Sequence, residues 1–443
     1  MKGAIRKNLL TERIDIVKPL GWYRDSPTLT DVDVKYLLLY FEENYGLTVE
    51  KKIIDAVAVI ANENRYHPVC DFLNALHWDG TERIRFCLHR FLGSDTDDYT
   101  YEALKLFLLG AISRAFKPGC KFEVMLCLVG GQGAGKSSFF RLLAVNDDWF
   151  SDDLKKLDDE NVYRKMQGHW IIEMSEMIAT ANAKSIEEIK SFLSRQKETY
   201  KIPYETHPAD RKRQCVFGGS SNTLDFLPLD RTGNRRFVPV MVYPERAEVH
   251  ILADEQASRE YINQMWAEAM EIYRSGNFRL RFSPAMNAYL KAHQKDFMPE
   301  DTKAGQILDY LERYSGSMVC SKQLYKEALG HDYDEPKQWE LREINDIMNN
   351  AVTGWRAFSN PRYFPEPYRR QKGWERIRND NEPDNSMDGF QEIPTEEMEQ
   401  LGLPEEWLKQ NKSPLSLRLS SRLSVWLSGK NPESLDIAAL FPL

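Results

Sequence analysis

A glycine-rich segment that ends in lysine and serine has the clearest chemistry in this chain of 443 residues. Residues 130–137 read Gly-Gly-Gln-Gly-Ala-Gly-Lys-Ser, which is the G-x-x-x-x-G-K-S/T pattern of a phosphate-binding loop. Backbone N–H groups at the start of a helix have no partner within the helix and therefore bind phosphate well. Lys136 is predicted to reach the β- and γ-phosphates of ATP, and the Ser137 hydroxyl to ligate Mg²⁺. The expected nucleotide contacts are Gly130, Gly131, Gln132, Gly133, Ala134, Gly135, Lys136, Ser137 and Ser138.

Two glutamates follow the next apolar segment and are candidates for catalysis. Glu173 and Glu176 lie at the end of a strand predicted over residues 170–174, where a carboxylate beside a phosphate loop can hold Mg²⁺. One is expected to act through the metal and the other to orient the attacking water, and the pattern leaves this division open. Ser137 and Glu173 are the predicted metal ligands. The alternative is two surface glutamates after a buried strand.

Three further residues are predicted to take part in catalysis. Asn222 ends a third predicted strand, where its amide can contact the γ-phosphate or the attacking water. Arg235 and Arg236 enter a fourth strand, and guanidinium groups stabilise charge on a phosphoryl group in transfer. We expect these arginines to serve a neighbouring subunit's site. The competing interpretation is a structural ion pair with Asp225 or Asp230, and the two arginines are not ranked.

Two segments rich in basic and aromatic residues are candidates for nucleic-acid contact. The first runs over residues 195–213 and is hairpin-like, and the second runs over residues 355–378. Lysine and arginine neutralise phosphates, while aromatic or imidazole rings such as those of Tyr204 and His207 stack on bases or sugars. A solvated surface is the alternative for either segment.

Composition limits the class of protein. The net charge is −8, so a nucleic-acid contact must come from local basic patches. The six cysteines form no C-x-x-C pair and the eight histidines show no metal-ligand spacing, which argues against zinc sites and a disulfide scaffold. Neither a signal peptide nor an apolar stretch long enough to span a membrane is evident. We expect no membrane association and a cytoplasmic location, and the family resemblance given below implies that the cell is a bacterial host.

Periodicity indicates the elements that must position these residues. Strands are predicted at residues 124–129, 170–174, 215–218 and 237–242, and they alternate with helices. The predicted fold is an α/β P-loop NTPase core with a helical N-terminal domain and a C-terminal winged-helix-like domain. The predicted divisions are residues 1–116, helical and suited to oligomerisation or DNA contact; 117–276, the ATPase; 277–302, a linker; 303–378, winged-helix-like, with residues 337–348 as recognition helix; and 379–443, an acidic linker and tail.

The order of these motifs resembles the virulence-associated protein E family of phage and genomic-island proteins, which is related to the superfamily 3 helicases. The resemblance covers about residues 66–276. It is carried by residues 78–83 (Trp-Asp-Gly-Thr-Glu-Arg), 130–137, 170–176, 195–198, 203–204, 219–222 and 232–237. One departure is Gly-Ser-Ser-Asn at residues 219–222, where the family more often has Gly-Thr-Thr-Asn, and this leaves the asparagine in place.

The resemblance implies an AAA+-like ATPase that assembles as a homo-hexameric ring around single-stranded DNA. The hairpin between the glutamates and Asn222 would line the channel, with Lys201, Arg211, Lys212 and Arg213 as DNA-binding candidates. Many relatives carry an upstream primase or polymerase module. The N-terminal segment is too short for one and lacks its clustered acids, so we expect a separate primase or polymerase as partner.

The predicted function is therefore an ATP-dependent replicative DNA helicase of a phage or mobile genetic element. A first alternative is a replication initiator that binds duplex origin DNA, or a DNA-activated ATPase switch without processive unwinding. A remoter alternative is a P-loop small-molecule kinase. A non-enzymatic interaction protein with a degenerate loop is disfavoured because every expected catalytic position is filled.

Overall fold

The computed structural model describes residues 3–154, 157, 162–175, 183–200, 209–227 and 234–377. Two predicted site residues, Glu176 and Lys201, lie outside these ranges, as does the predicted acidic tail at 379–443.

The N-terminal part combines helices with a small sheet that the sequence analysis did not predict. Strand β1 pairs antiparallel with β2 and parallel with β3. Apolar residues of β1 and of the first two helices form a small core of their own, which includes Ile5, Leu37 and Val57. The elements are β1 (Ile5–Asn8), β2 (Ile14–Ile16), α1 (Asp31–Tyr45), α2 (Glu50–Glu63) and β3 (Arg65–Tyr66).

Three helices then lead into the central core: α3 (Pro68–Ala75), α4 (Ile84–Leu92) and α5 (Asp98–Phe116). Helix α5 is buried on nearly every side, because its apolar residues surround the helix rather than forming one stripe. Residues of all three helices belong to the same hydrophobic cluster as the central sheet and the helix after the phosphate loop. The predicted boundary between residues 116 and 117 therefore does not coincide with a boundary between hydrophobic cores.

The centre of the molecule is a five-stranded sheet with strand order β10-β4-β9-β6-β5, in which every pairing is parallel. The elements of this region are β4 (Met125–Val129), α6 (Lys136–Leu143), β5 (Phe150–Ser151), α7 (Val162–Met166), β6 (Ile171–Ser175), α8 (Ala183–Ser194), β7 (Lys197–Tyr200), β8 (Ala209–Lys212), β9 (Val216–Ser221), β10 (Phe237–Met241) and α9 (Glu255–Ser275).

Strand β4 shows why this sheet requires apolar runs. Side chains alternate between the two faces of a strand, and both faces of this sheet are covered. Leu126 and Leu128 join the hydrophobic cluster on one face, whereas Met125, Cys127 and Val129 join the cluster on the other. All five residues are buried. The four predicted strands agree closely with β4, β6, β9 and β10. Helix α9 ends at Gly276, whose backbone is left-handed with φ of 68°.

The C-terminal described part contains α10 (Pro284–His293), α11 (Thr302–Arg313), β11 (Met318–Cys320), α12 (Ser321–Gln323), α13 (Gln338–Asn350), β12 (Trp355–Ala357), β13 (Arg362–Phe364), β14 (Arg369–Gln371) and β15 (Gly373–Arg376). Strands β11, β15 and β12 form an antiparallel sheet with β15 in the middle, and β13 and β14 form a hairpin. This part has its own apolar cluster, which includes Ile307, Leu324 and Ile347. Among the described helices of the chain, none is both long and apolar enough to cross a membrane.

Candidate active site

The glycine-rich loop joins strand β4 to helix α6. Its Gly133 and Gly135 have φ of 80° and 79°, a left-handed conformation that costs glycine little and other residues more. The loop turns sharply at these positions and places Lys136 at the first position of α6. The strand, turn and helix therefore follow one another as the motif requires.

Lys136 turns back over the loop and joins it to a neighbouring strand. Its Nζ donates hydrogen bonds to the carbonyl oxygens of Gly130 (2.7 Å) and Gly131 (2.8 Å) and to Oδ1 of Asn222 (3.0 Å). Asn222 follows β9, which lies beside β4 in the sheet. Two residues that are distant in the sequence thus meet at the loop, as their predicted positions at the ends of parallel strands imply.

Glu173 occupies the centre of β6 and is fully buried. Its Oε1 accepts hydrogen bonds from the hydroxyls of Ser137 (2.7 Å) and Ser220 (2.6 Å). Its Oε2 is buried and has no hydrogen-bond partner among the described residues. Burying a carboxylate without full compensation is costly, and oxygen donors of this kind suit Mg²⁺. Ser137 and Glu173 therefore fit a magnesium site.

The strand order explains how these groups come together. Strand β9 lies between β4, which carries the loop, and β6, which carries Glu173. Gly218 of β9 is the register partner of Glu173, and a Cβ added there would lie 2.3 Å from Cε1 of Phe140. The missing side chain lets α6 pack closely over β9, which keeps Ser137 within reach of Glu173.

A cavity of about 340 Å³ lies at the carboxyl edge of the sheet, within the usual size range of small-molecule sites. Its lining includes residues of the loop together with Ser175, Ser220 and Asn222. It also includes His250 and Leu252, which the sequence analysis did not identify. These two residues belong to the segment between β10 and α9, which carries no motif, so no sequence signal marked them.

Arg235 and Arg236 lie away from this cavity. They directly precede β10, whose first residue pairs in register with the first residue of β4, so they lie at the edge of the sheet opposite the loop. Arg235 donates to Glu123 at 2.8 Å, and Arg236 contacts Glu123 at 3.5 Å and donates to Ser194 Oγ at 2.9 Å. The observed ion pair is with Glu123 rather than Asp225, and Asp230 lies outside the described residues.

Arg235, Arg236 and Ser194 stabilise the charged form of Glu123. Burial alone would raise the pKa of Glu123, but the hydrogen bond from Ser194 and the charges of Arg236 and Arg235 lower it below its ordinary value. Arg235 remains 67% exposed at its side chain, whereas Arg236 is 21% exposed. Arg235 is thus the more accessible of the two guanidinium groups.

The predicted basic hairpin forms, because β7 and β8 pair antiparallel, but its base is not a DNA surface. Arg213 is buried and ion-paired with Glu198, which is also buried. Its guanidinium lies over the rings of Phe192 (4.6 Å) and Phe217 (5.2 Å) and donates to the carbonyl of Phe192. This geometry contradicts the predicted DNA contact by Arg213, because its charge is neutralised and shielded from solvent.

The other described candidates of the hairpin differ from Arg213. Arg211 is partly buried and forms an ion pair with Glu12 at 2.9 Å. Lys212 is exposed and is the last residue of β8, paired in register with Lys197 of β7. Lys201, the remaining candidate, is outside the described residues. Of the predicted DNA contacts that the structure describes, Lys212 has the most accessible position.

The Trp-Asp-Gly-Thr-Glu-Arg segment at residues 78–83 has a structural role. Asp79 forms a two-pronged ion pair with Arg83, at 2.7 and 2.6 Å. The backbone N–H groups of Arg83 and Ile84 both donate to Oε2 of Glu268 on α9. This turn therefore begins α4 and attaches it to α9, on the face of the core that supports the sheet.

Comparison with known proteins gives one family. A family model described as a virulence-associated protein E-like domain matches residues 73–299, just over half of the chain. No curated protein sequence matches significantly. Two solved structures of the NrS-1 C-terminal region, both in an apo A form, are similar at 14% identity, with 84% of this chain and 96% of theirs covered and TM-scores of 0.47 and 0.45. Similarity to those structures at this level carries no argument about activity.

Proposed function

The chain belongs to the virulence-associated protein E-like family, and from this premise we propose that it is a Mg²⁺-dependent ATPase that drives replicative DNA unwinding for a phage or mobile genetic element. One observation carries the proposal. Lys136 contacts Asn222 while the adjacent Ser137 contacts Glu173, so four residues predicted for triphosphate chemistry meet beside one cavity.

The proposed reaction is hydrolysis of the terminal phosphoryl group. A water oxygen attacks the γ-phosphorus and the bond to the β–γ bridging oxygen breaks, which yields ADP, inorganic phosphate and a proton. Lys136 and the loop N–H groups bind the phosphates, and Asn222 contacts the γ-phosphate or the water. Ser137 and Glu173 would hold Mg²⁺, which neutralises charge on the phosphates when bound. Glu176 is then the candidate for orienting water.

The arginines act on a neighbouring subunit in this proposal. Their position at the edge opposite the loop favours contact with another copy's nucleotide over contact with their own. Arg235 is the preferred candidate because it is the more exposed residue. Large apolar side chains exposed on α1 and α2, such as Leu39 (53%) and Val59 (57%), support assembly. The proposed assembly is a homo-hexameric ring on single-stranded DNA.

The C-terminal described part is proposed to contact DNA as a winged helix. Its order is α11, β11, α12, α13 and β12, followed by the β13–β14 hairpin and β15. A hairpin after the candidate recognition helix α13 supports this proposal, because a winged helix has its wing there. Arg362, Tyr363, Arg370 and Lys372 are exposed on or beside this hairpin. Their exposure also favours a second candidate function, a replication initiator that binds duplex DNA.

Lys136→Ala tests the enzymatic proposal. We expect the wild-type chain to turn over ATP with Mg²⁺, faster with single-stranded DNA, and to unwind a forked duplex. Lys136→Ala should lose both activities because the phosphates lose their cation. Lys291→Ala, an exposed lysine on α10, should retain both. Undiminished turnover by Lys136→Ala would overturn the site assignment.

The same assays separate the two candidate functions. A helicase couples turnover to strand separation. An initiator or switch binds a defined duplex and hydrolyses ATP without unwinding the fork. ATP-dependent phosphate transfer to a small acceptor without DNA would instead support a kinase.

A further inference from the structure

Two residues of the cavity have no part in the proposed phosphate chemistry. His250 and Leu252 line it together with the loop. Leu252 is 43% exposed, and it adds a large apolar side chain to a lining otherwise made of glycine, alanine and polar residues. An apolar side chain and an imidazole ring beside a phosphate loop are suited to an uncharged, partly aromatic ligand group.

The segment that carries these residues is held firmly. Ile251, between them, is fully buried, and its carbonyl accepts a hydrogen bond from Ser258 Oγ at 2.8 Å. The N–H of Val249 donates to the carbonyl of Arg90 on α4 at 3.1 Å. The segment is therefore fixed to both α9 and α4, so His250 and Leu252 have defined positions at the cavity wall.

The orientation of the His250 ring follows from its own hydrogen bond. Its Nδ1 accepts from the N–H of Leu252 at 3.3 Å, so the neutral ring carries its proton on Nε2. A Cβ added to Gly135 would lie 4.0 Å from this Nε2 and 3.5 Å from Ile251 Cγ2. A hydrogen-bond donor thus stands next to the loop.

The strand order separates this donor from the phosphate machinery. Strand β4 has β9 and β6 on one side and β10 on the other. Asn222 and Glu173 come from β9 and β6, and both contact the end of the loop that holds Lys136 and Ser137. His250 and Leu252 follow β10 instead. If the γ-phosphate and the metal occupy the β9–β6 side, the rest of the nucleotide extends toward β10.

We propose that His250 and Leu252 form the subsite for the nucleoside of the bound nucleotide. Leu252 packs against the base, and His250 Nε2 donates to an acceptor on the base or ribose. The inference rests on the proposed function, because it requires a nucleotide whose phosphates occupy the loop. It assigns recognition of the nucleoside to a segment outside the phosphate loop.

The test compares a nucleotide with an inorganic polyphosphate, which lacks a nucleoside. Binding of ADP and of inorganic tripolyphosphate, each with Mg²⁺, is measured by calorimetry on the full chain. We expect His250→Ala and Leu252→Ala each to weaken ADP binding about 10-fold, the size of one lost hydrogen bond or apolar contact. Tripolyphosphate affinity should stay unchanged. His250→Asn, which keeps a donor, should recover part of the ADP affinity.

Glu245→Ala, exposed on the same connecting segment, is the matched control and should bind both ligands like the wild type. An equal loss of tripolyphosphate binding in His250→Ala or Leu252→Ala would overturn the inference, since it would indicate a phosphate contact or a folding defect. Unchanged ADP affinity would overturn it also. Wild-type binding of both ligands, with unchanged ADP affinity in His250→Ala and Leu252→Ala, refutes the inference alone, whereas wild-type binding of neither ligand refutes the proposed function as well.

Discussion

Glu173 is a buried carboxylate at the candidate site, and only one of its two oxygens is hydrogen-bonded among the described residues. It is fully buried in β6, and both hydrogen bonds that it receives from Ser137 and Ser220 reach the same oxygen. Neutral hydroxyl donors compensate a buried carboxylate less well than a cation does. The residue is therefore arranged for a positively charged ligand rather than for stability, as is common at functional sites.

Ser220→Ala tests whether the second hydroxyl positions Glu173. The variant removes one hydrogen bond without touching the phosphate loop. We expect ATP turnover to fall about 10-fold, with half-maximal activity shifted to higher Mg²⁺ concentration, because outer partners orient metal ligands. Turnover titrated with Mg²⁺ measures both effects.

Ser275→Ala, at the exposed end of α9, serves as the control for that experiment and should leave the titration unchanged. A Ser220→Ala variant with a wild-type Mg²⁺ dependence would show that Ser220 has no positioning role.

The β7–β8 hairpin is packed against the strand that leads to the candidate site. Its base is held by the buried pair of Arg213 and Glu198 and by Phe192 of α8 and Phe217 of β9. Strand β9 in turn leads to Asn222 at the nucleotide cavity. The hairpin and Asn222 are thus joined through one strand, β9.

Arg213→Ala and Lys212→Ala are expected to act differently. Arg213→Ala removes the buried partner of Glu198 and leaves it only the longer contact with Arg195 at 3.7 Å. The free energy of unfolding should fall by about 3 kcal/mol, the lower end of the cost of breaking a buried ion pair. Lys212→Ala should leave stability unchanged and weaken single-stranded DNA binding. The slope of the logarithm of the binding constant against the logarithm of salt concentration should decrease in magnitude by about one. Denaturant unfolding and DNA titration at several salt concentrations measure the two effects.

The double variant Arg213→Met with Glu198→Met distinguishes the causes, because replacing both charges by apolar groups should recover most of the lost stability. A stable Arg213→Ala variant with weakened DNA binding would restore the original DNA-binding assignment of this arginine.

At the scale of the whole molecule, the proposed active site is incomplete within one chain. The loop and the arginines lie at opposite edges of the sheet, separated by the length of a five-residue strand, roughly 16 Å. Arg235 and Arg236 are held there by Glu123 and Ser194. A neighbouring copy must supply the arginine if the proposed catalysis takes place at subunit interfaces.

Mixing two inactive variants tests this arrangement. Lys136→Ala and Arg235→Ala should each lose most ATP turnover when alone. An interface that takes its loop from the Arg235→Ala chain and its arginine from the Lys136→Ala chain is intact, so the mixture should regain part of the activity. Turnover of the mixture after subunit exchange is the measurement. No recovery, with mixed assemblies demonstrated, would contradict the action of Arg235 on a neighbouring subunit. Full turnover by Arg235→Ala alone would assign the role to Arg236 or place both arginines outside catalysis.

Stability of the fold is expected to depend on pH through three histidines. Burial lowers the pKa of His67, His169 and His293 below the ordinary 6.5. Near pH 6.5, these histidines therefore bind more protons in the unfolded chain than in the folded chain. Stability is full above this pH and falls as the pH drops below it.

Urea unfolding at pH 7.5 and at pH 5.5 measures this effect, and the free energy of unfolding should be lower at pH 5.5. His67→Gln should reduce the difference because one of the three groups no longer titrates. Equal stability of the wild type at both pH values would contradict the prediction.

Local pattern was sufficient for the parts of this protein whose conformation depends on neighbours in the chain. The strand, glycine turn and helix around Lys136 are encoded within about twenty residues, since apolar runs, positive φ at glycine and helix N-termini are short-range effects. Glu173 and Asn222 also followed from the sequence, because the ends of parallel strands meet at one edge of a sheet.

Tertiary structure alone decided the burial of Arg213, the pairing of Arg235 and Arg236 with Glu123, and the arrival of His250 and Leu252 at the cavity. It also decided the short N-terminal strands and the absence of a core boundary at residue 116. Each of these depends on which distant segments become neighbours. Which segments become neighbours depends on the apolar surface buried over the whole fold. Each residue contributes only a small part of that sum, so these contacts could not be predicted from single residues in the sequence.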